Sequence, residues 1–128
     1  MIARTFNNDL RGAEMTLQQA VSTCFAKYVD FSGRASRSEY WWFALAYVVL
    51  ALVAGFIHQI VYAIVVLAFL LPLITAGARR LHDVGRSGWW LLIGLIPLVG
   101  LVLLYFMVQP SQPESNPFGP PPTDLQVV

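Results

Sequence analysis

The longest interval without a charged side chain runs from Tyr40 to Ala78, 39 residues between Glu39 and Arg79. As one straight helix it would reach about 58 Å at 1.5 Å per residue, nearly twice the roughly 30 Å of a bilayer's hydrocarbon core. The run must therefore fold back on itself. A polar break at His58-Gln59, just after Gly55, divides it into Tyr40 to Ile57 and Ile60 to Ala78. A third uncharged stretch runs from Trp89 to Val108. All three fall within the roughly 17 to 25 residues that cross a bilayer, and they are apolar on every side, without the polar stripe of a soluble core helix. The pattern predicts an all-α integral membrane protein with three transmembrane spans at about 40–57, 60–78 and 89–108.

The third stretch carries Gly94, Pro97 and Gly100 near its middle. A proline removes a helical hydrogen bond and bends the chain, so this segment admits a kinked span or a re-entrant hairpin. Twenty residues is a comfortable crossing, and no Lys or Arg follows it. The expectation is a third span. Pro72 lies inside the second, where a neighbour or water must satisfy the carbonyl it frees.

Upstream, residues 1–14 mix charged and polar groups without a period and read as a mobile extension. Leu17, Ala20, Val21, Cys24, Phe25 and Tyr28 then follow helical spacing, and Thr16 with Gln19 forms a capping box. This predicts a short amphipathic interfacial helix over 16–28, lying on the membrane or packing against the neighbouring loop. Ser36 and Glu39 repeat the capping pattern at the start of the first span, and Glu39 there suits the positive end of the helix dipole. The membrane domain thus covers 15–108. Residues 109–128 contain six prolines and read as a disordered tail.

Composition adds the solvent. Hydrophobic residues make up 57% and charged residues 12%, about half the charged share of soluble domains. A net charge of +1 gives no bulk attraction for nucleic acid, and a single Cys excludes an intramolecular disulfide or a thiolate metal cage. No apolar core of a signal peptide precedes residue 39, so the first span is expected to act as an uncleaved anchor.

Charge placement adds the orientation. Arg4, Arg11, Lys27, Arg34 and Arg37 precede the first span, and Arg79, Arg80 and Arg86 lie between the second and third. The positive-inside rule puts both segments in the cytoplasm, and with three spans the C-terminal tail lies on the periplasmic side. Trp41, Trp42, Trp89 and Trp90 begin the first and third spans on that same cytoplasmic side, at headgroup level.

The loop from Arg79 to Trp90 gathers most of the reactive side chains. Arg34, Arg37, Arg79, Arg80 and Arg86, with His82, Asp83 and the four tryptophans, form a candidate face for anionic lipid headgroups or a membrane partner. Asp83 stands four residues after Arg79 and three after Arg80, so it pairs with either if the helix extends that far. Glu39 is a further candidate for an ion pair with these arginines. His82 and Asp83 are adjacent and diverge by about 100° on a helix, so they make no dyad. His82 with Glu39 is the remaining acid–base pairing, and no nucleophile stands out beside it. Neither His has a second metal ligand at helical spacing. No enzyme activity, cofactor or metal is expected, a membrane enzyme using His82 and Asp83 being the lesser alternative.

Several of these segments resemble one known family, the small bacterial inner-membrane proteins of domain-of-unknown-function family 805. The resemblance rests on Phe31-Ser32-Gly33-Arg34-Ala35-Ser36-Arg37-Ser38-Glu39-Tyr40-Trp41-Trp42-Phe43, on Pro72, and on Arg79-Arg80-Leu81-His82-Asp83 with Ser87-Gly88-Trp89-Trp90. Ile96-Pro97 and Gly100 extend it. The tail departs from the family pattern, since Asn116-Pro117-Phe118-Gly119-Pro120 lacks the Arg that usually follows the Asn. The resemblance implies a multi-pass inner-membrane protein whose activity is unassigned. The residues themselves favour an interaction or scaffold protein whose partners are lipid headgroups, other membrane proteins or a second copy. The alternative is an oligomeric transport or channel subunit, which needs several copies because three uncharged spans line no polar path alone.

Overall fold

The computed structural model describes residues 15–122. The expected extension at 1–14 and the last six residues lie outside them. Four α-helices and one 3-10 helix form the described part: α1 (Leu17–Ala26), α2 (Arg37–Ile57), α3 (Gln59–Asp83), the 3-10 helix (Gly88–Leu95) and α4 (Gly100–Val108).

Helices α2 and α3 are an antiparallel hairpin turned at His58, whose Nδ1 accepts from the Ile60 amide at 3.0 Å and so caps α3. Their 21 and 25 residues correspond to about 32 and 38 Å, and both are long and apolar enough to cross a bilayer. Ser36 caps α2 by accepting from the Glu39 amide. Helix α3 runs five residues beyond Ala78, so Arg79 to Asp83 are helical. It then stops in a Schellman turn: the Gly85 amide donates to His82 and the Arg86 amide to Leu81, with Gly85 at φ 82°.

Helix α1 begins with the anticipated capping box of Thr16 and Gln19 and packs its Ala20 and Cys24 face onto the hairpin. Phe25 meets Phe43 and Phe69 edge-on, with centroids at 5.4 and 5.2 Å, while Phe43 and Phe69 stack at 5.3 Å. The helix thus packs on the two hairpin helices rather than on the neighbouring loop. Just beyond it, the Tyr28 hydroxyl donates to the Ala68 carbonyl at 2.9 Å. That carbonyl is the one four residues before Pro72, which has no N–H to offer it.

The third apolar stretch departs from the single span expected of it. The chain breaks at 96–99, where Leu98 takes a left-handed φ of 67° and the Gly100 amide donates to Ile96 at 2.8 Å. Pro97 ends the helical bonding, and the two halves then double back. Their approach needs glycine: a Cβ on Gly100 would lie 3.3 Å from the Gly94 backbone, and one on Gly94 would lie 3.0 Å from Leu103. The end of α4 therefore returns to the charged end of the α2–α3 hairpin, where the Trp41 indole donates to the Met107 carbonyl at 2.9 Å. The chain leaves α4 at that end, not beside His58, which corrects the expectation of a tail on the opposite face.

The tail also differs from the disordered segment expected. Over 109–122 it lies against the end of α3, with the Gln112 amide donating to the Asp83 carbonyl at 3.1 Å and Pro122 buried. Proline prevents a regular element here, yet the remaining carbonyls are free to accept, and buried guanidiniums use them.

Candidate functional site

Five charged side chains meet beneath this tail: Arg34, Glu39, Arg79, Arg80 and Asp83, all buried. Asp83 is the hub. Its Oδ1 accepts from Arg34 Nε at 3.0 Å and its Oδ2 from Arg80 Nη1 at 2.6 Å, with the Ser111 hydroxyl donating to the same Oδ2. Glu39 takes Arg79. Asp83 thus chooses Arg80, the i+3 option, and a distant arginine that no local spacing indicates, while Arg79 turns to the neighbouring helix.

Three guanidiniums face two carboxylates in these pairs. Backbone carbonyls at helix ends compensate the excess positive charge. Met107 O accepts from Arg80 Nε at 3.0 Å as well as from Trp41, Val108 O accepts from Arg37 at 3.1 Å, and Gln109 O accepts from Arg80 Nη2. These are the orphan acceptors at the negative end of α4, where cations are favoured. Arg34 reaches further into the tail, donating to Gln112 O, to Glu114 O at 2.7 Å and to Gly119 O at 3.3 Å. Its one guanidinium ties the connector, the end of α3 and the tail together.

Cys24 lies beside the Arg79–Glu39 pair, its Sγ 3.8 Å from Glu39 Oε2 and 4.0 Å from Arg79 Nη2. Burial, reinforced by the Glu39 charge, pushes its thiol up to about 12. In the connector, Asp30 accepts from the Ser32 hydroxyl and amide, and these bonds hold its carboxyl below the ordinary range.

The displayed face is therefore smaller than the eleven residues proposed for it. Arg34, Arg79, Arg80 and Asp83 are sealed inside and cannot meet headgroups, because each guanidinium is already spent on a carboxylate or carbonyl. Trp41 is committed to Met107. Arg37 and Arg86 remain exposed, with Trp42, Trp89 and Trp90. Arg86 stacks over Trp90 and Phe106 at 5.5 and 4.7 Å.

His82 and Glu39 are engaged separately, Glu39 by Arg79 and His82 by the Gly33 carbonyl, with Nδ1 at 2.9 Å. The imidazole also stacks on Phe118 with centroids 4.1 Å apart. Asn116 Nδ2 donates to the His82 carbonyl at 2.8 Å, so the tail segment around Phe118 is part of the site. Sequence reasoning missed these tail contacts and Ser111. Among the described residues, no three His, Cys, Asp or Glu side chains are grouped to hold a metal ion.

The model of a protein family of unknown function, DUF805, matches residues 28–120. The chain is similar to the inner membrane protein YhaH of Escherichia coli K12, 38% identical over 110 residues that cover 74% of this chain and 88% of that protein. It is likewise similar to the inner membrane protein YhaI of the same strain, 39% identical over 103 residues covering 74% and 87%. No solved structure matches. The matched region spans the α2–α3 hairpin, the ion-pair cluster and the tail that closes over it, and on that ground the chain belongs to the DUF805 family of bacterial inner-membrane proteins.

Proposed function

We propose that this protein is a non-catalytic interaction protein of the inner membrane, docking on anionic lipid headgroups or a headgroup-associated membrane complex from its cytoplasmic end. The reading rests on one observation, the division of labour among the basic residues. Arg34, Arg79 and Arg80 are buried and paired, while Arg37 and Arg86 stay exposed beside Trp42, Trp89 and Trp90. Each exposed cation near an anionic surface is worth about 1 kcal/mol, and the indoles sit well at the same depth. The positive-inside rule assigns this end to the cytoplasm, and the tail that covers it goes with it.

Detergent-solubilised protein should bind phosphatidylglycerol-containing vesicles more weakly after R37Q together with R86Q, with its folded stability little changed. Unaltered binding would sink the headgroup reading. A fluorescent protein that matures only in the cytoplasm, fused after the tail, should light up; alkaline phosphatase activity at that position would reverse the orientation.

A further inference from the structure

Between the 3-10 helix and α3 lies a cavity of about 410 Å³, in the range of about 300 to 1,000 Å³ typical of ligand sites. Ile74 and Ala78 of α3 and Leu91 and Leu92 of the 3-10 helix give it apolar walls, and the exposed Phe31 and Trp89 border it. His82 and Ser87 are the polar side chains of its lining. The eight steps from Ile74 to His82 correspond to about 12 Å along α3, from the bilayer interior to the charged end of the hairpin.

The chemistry of the polar end is defined. A carbonyl only accepts, so His82 Nδ1 donates to Gly33, which leaves Nε2 as the ring nitrogen open to a ligand. Nε2 has no hydrogen-bond partner among the described residues and faces Gly88, where an added Cβ would lie 3.6 Å from it. Ser87 Oγ accepts from the Trp89 amide at 3.3 Å and keeps its own proton to donate. The lining thus offers a ring nitrogen and a hydroxyl proton, and a ligand hydroxyl, which both donates and accepts, can serve each. An ammonium, which only donates, would leave the serine proton unused.

We propose that this cavity binds one glycerolipid, an acyl chain between Ile74 and Leu92 and a headgroup hydroxyl between His82 Nε2 and Ser87 Oγ. Trp89 borders both this site and the docking face, but neither Arg37 nor Arg86 lines the cavity, so variants of Ile74 and Leu92 test it independently of the headgroup docking above.

The test uses the full-length protein in nanodiscs, ejected for native mass spectrometry. The lipids compared are phosphatidylglycerol and phosphatidylpropanol, equal in charge, the second lacking the headgroup hydroxyls. One retained lipid per chain is expected, with phosphatidylglycerol favoured about three- to tenfold, the worth of one or two hydrogen bonds. I74W and L92W, at half-exposed or exposed positions that tolerate bulk, should each abolish retention, while L50W on the exposed side of α2 should not. Retention unchanged by both cavity-filling variants, or no retained lipid in the unaltered protein, would overturn the site. Equal retention of the two lipids would overturn the hydroxyl assignment.

Discussion

The Tyr28 hydroxyl replaces, at 2.9 Å, the backbone donor that Pro72 denies to the Ala68 carbonyl. A residue after the first helix thereby completes the hydrogen bonding of the third. Y28F should cost about 1 to 3 kcal/mol, the penalty of an acceptor left unpaired in an apolar setting. In P72A the residue-72 amide returns, so Y28F on that background should cost much less. A double-mutant cycle in a detergent unfolding assay measures the coupling; additive costs would show that Tyr28 does not serve that carbonyl.

Asp83 pairs with two buried guanidiniums, and D83N removes its charge while keeping the shape. Stability should fall by about 3 to 5 kcal/mol, as for other buried pairs that lose one partner. Q18A, at an exposed position of α1, serves as the control and should stay within about 0.5 kcal/mol of the parent. Thermal unfolding in detergent separates the two.

Leu98 distinguishes a hairpin from a straight span by the sign of one substitution. Its φ of 67° disfavours an L side chain by about 1 to 2 kcal/mol, so L98G should stabilise the protein. In an uninterrupted helix the same change would destabilise by about 1 kcal/mol.

The Cys24 thiol, raised from near 9.0 to about 12, should stay neutral and unreactive. N-ethylmaleimide at pH 8 should label the folded protein negligibly and the denatured protein fully. Because the raised value favours the protonated form, its contribution to stability is complete below pH 9.0 and declines as the pH rises toward about 12. Rapid labelling of folded protein would show that Cys24 is not enclosed as described.

Much of this architecture was legible from residue types. The uncharged run broken at His58-Gln59 defines the hairpin, and Thr16 and Ser36 mark the helix starts, because bilayer thickness and orphan amides constrain composition directly. The third segment misled because twenty apolar residues satisfy the length of a crossing whichever way Pro97 sends the chain. The ion-pair cluster was half legible. Arg80 with Asp83 follows helical spacing, but Arg34 finds Asp83 across 49 positions, and several arginine acceptors are main-chain carbonyls from Met107 to Gly119. Every residue type has a carbonyl, so such acceptors leave no trace in a side-chain pattern.

The carbonyls that satisfy Arg80 and Arg34 also impose an order on biosynthesis. Those from Met107 to Gly119 belong to the last part of the described chain to leave the ribosome, whereas the guanidiniums are made 27 to 85 residues earlier. Until the tail emerges, the guanidinium N–H groups that it satisfies are left to water, so the hairpin can enter the bilayer well before its charged end is sealed. A chain halted before Gln109 would therefore be an inserted protein with an open, wet mouth.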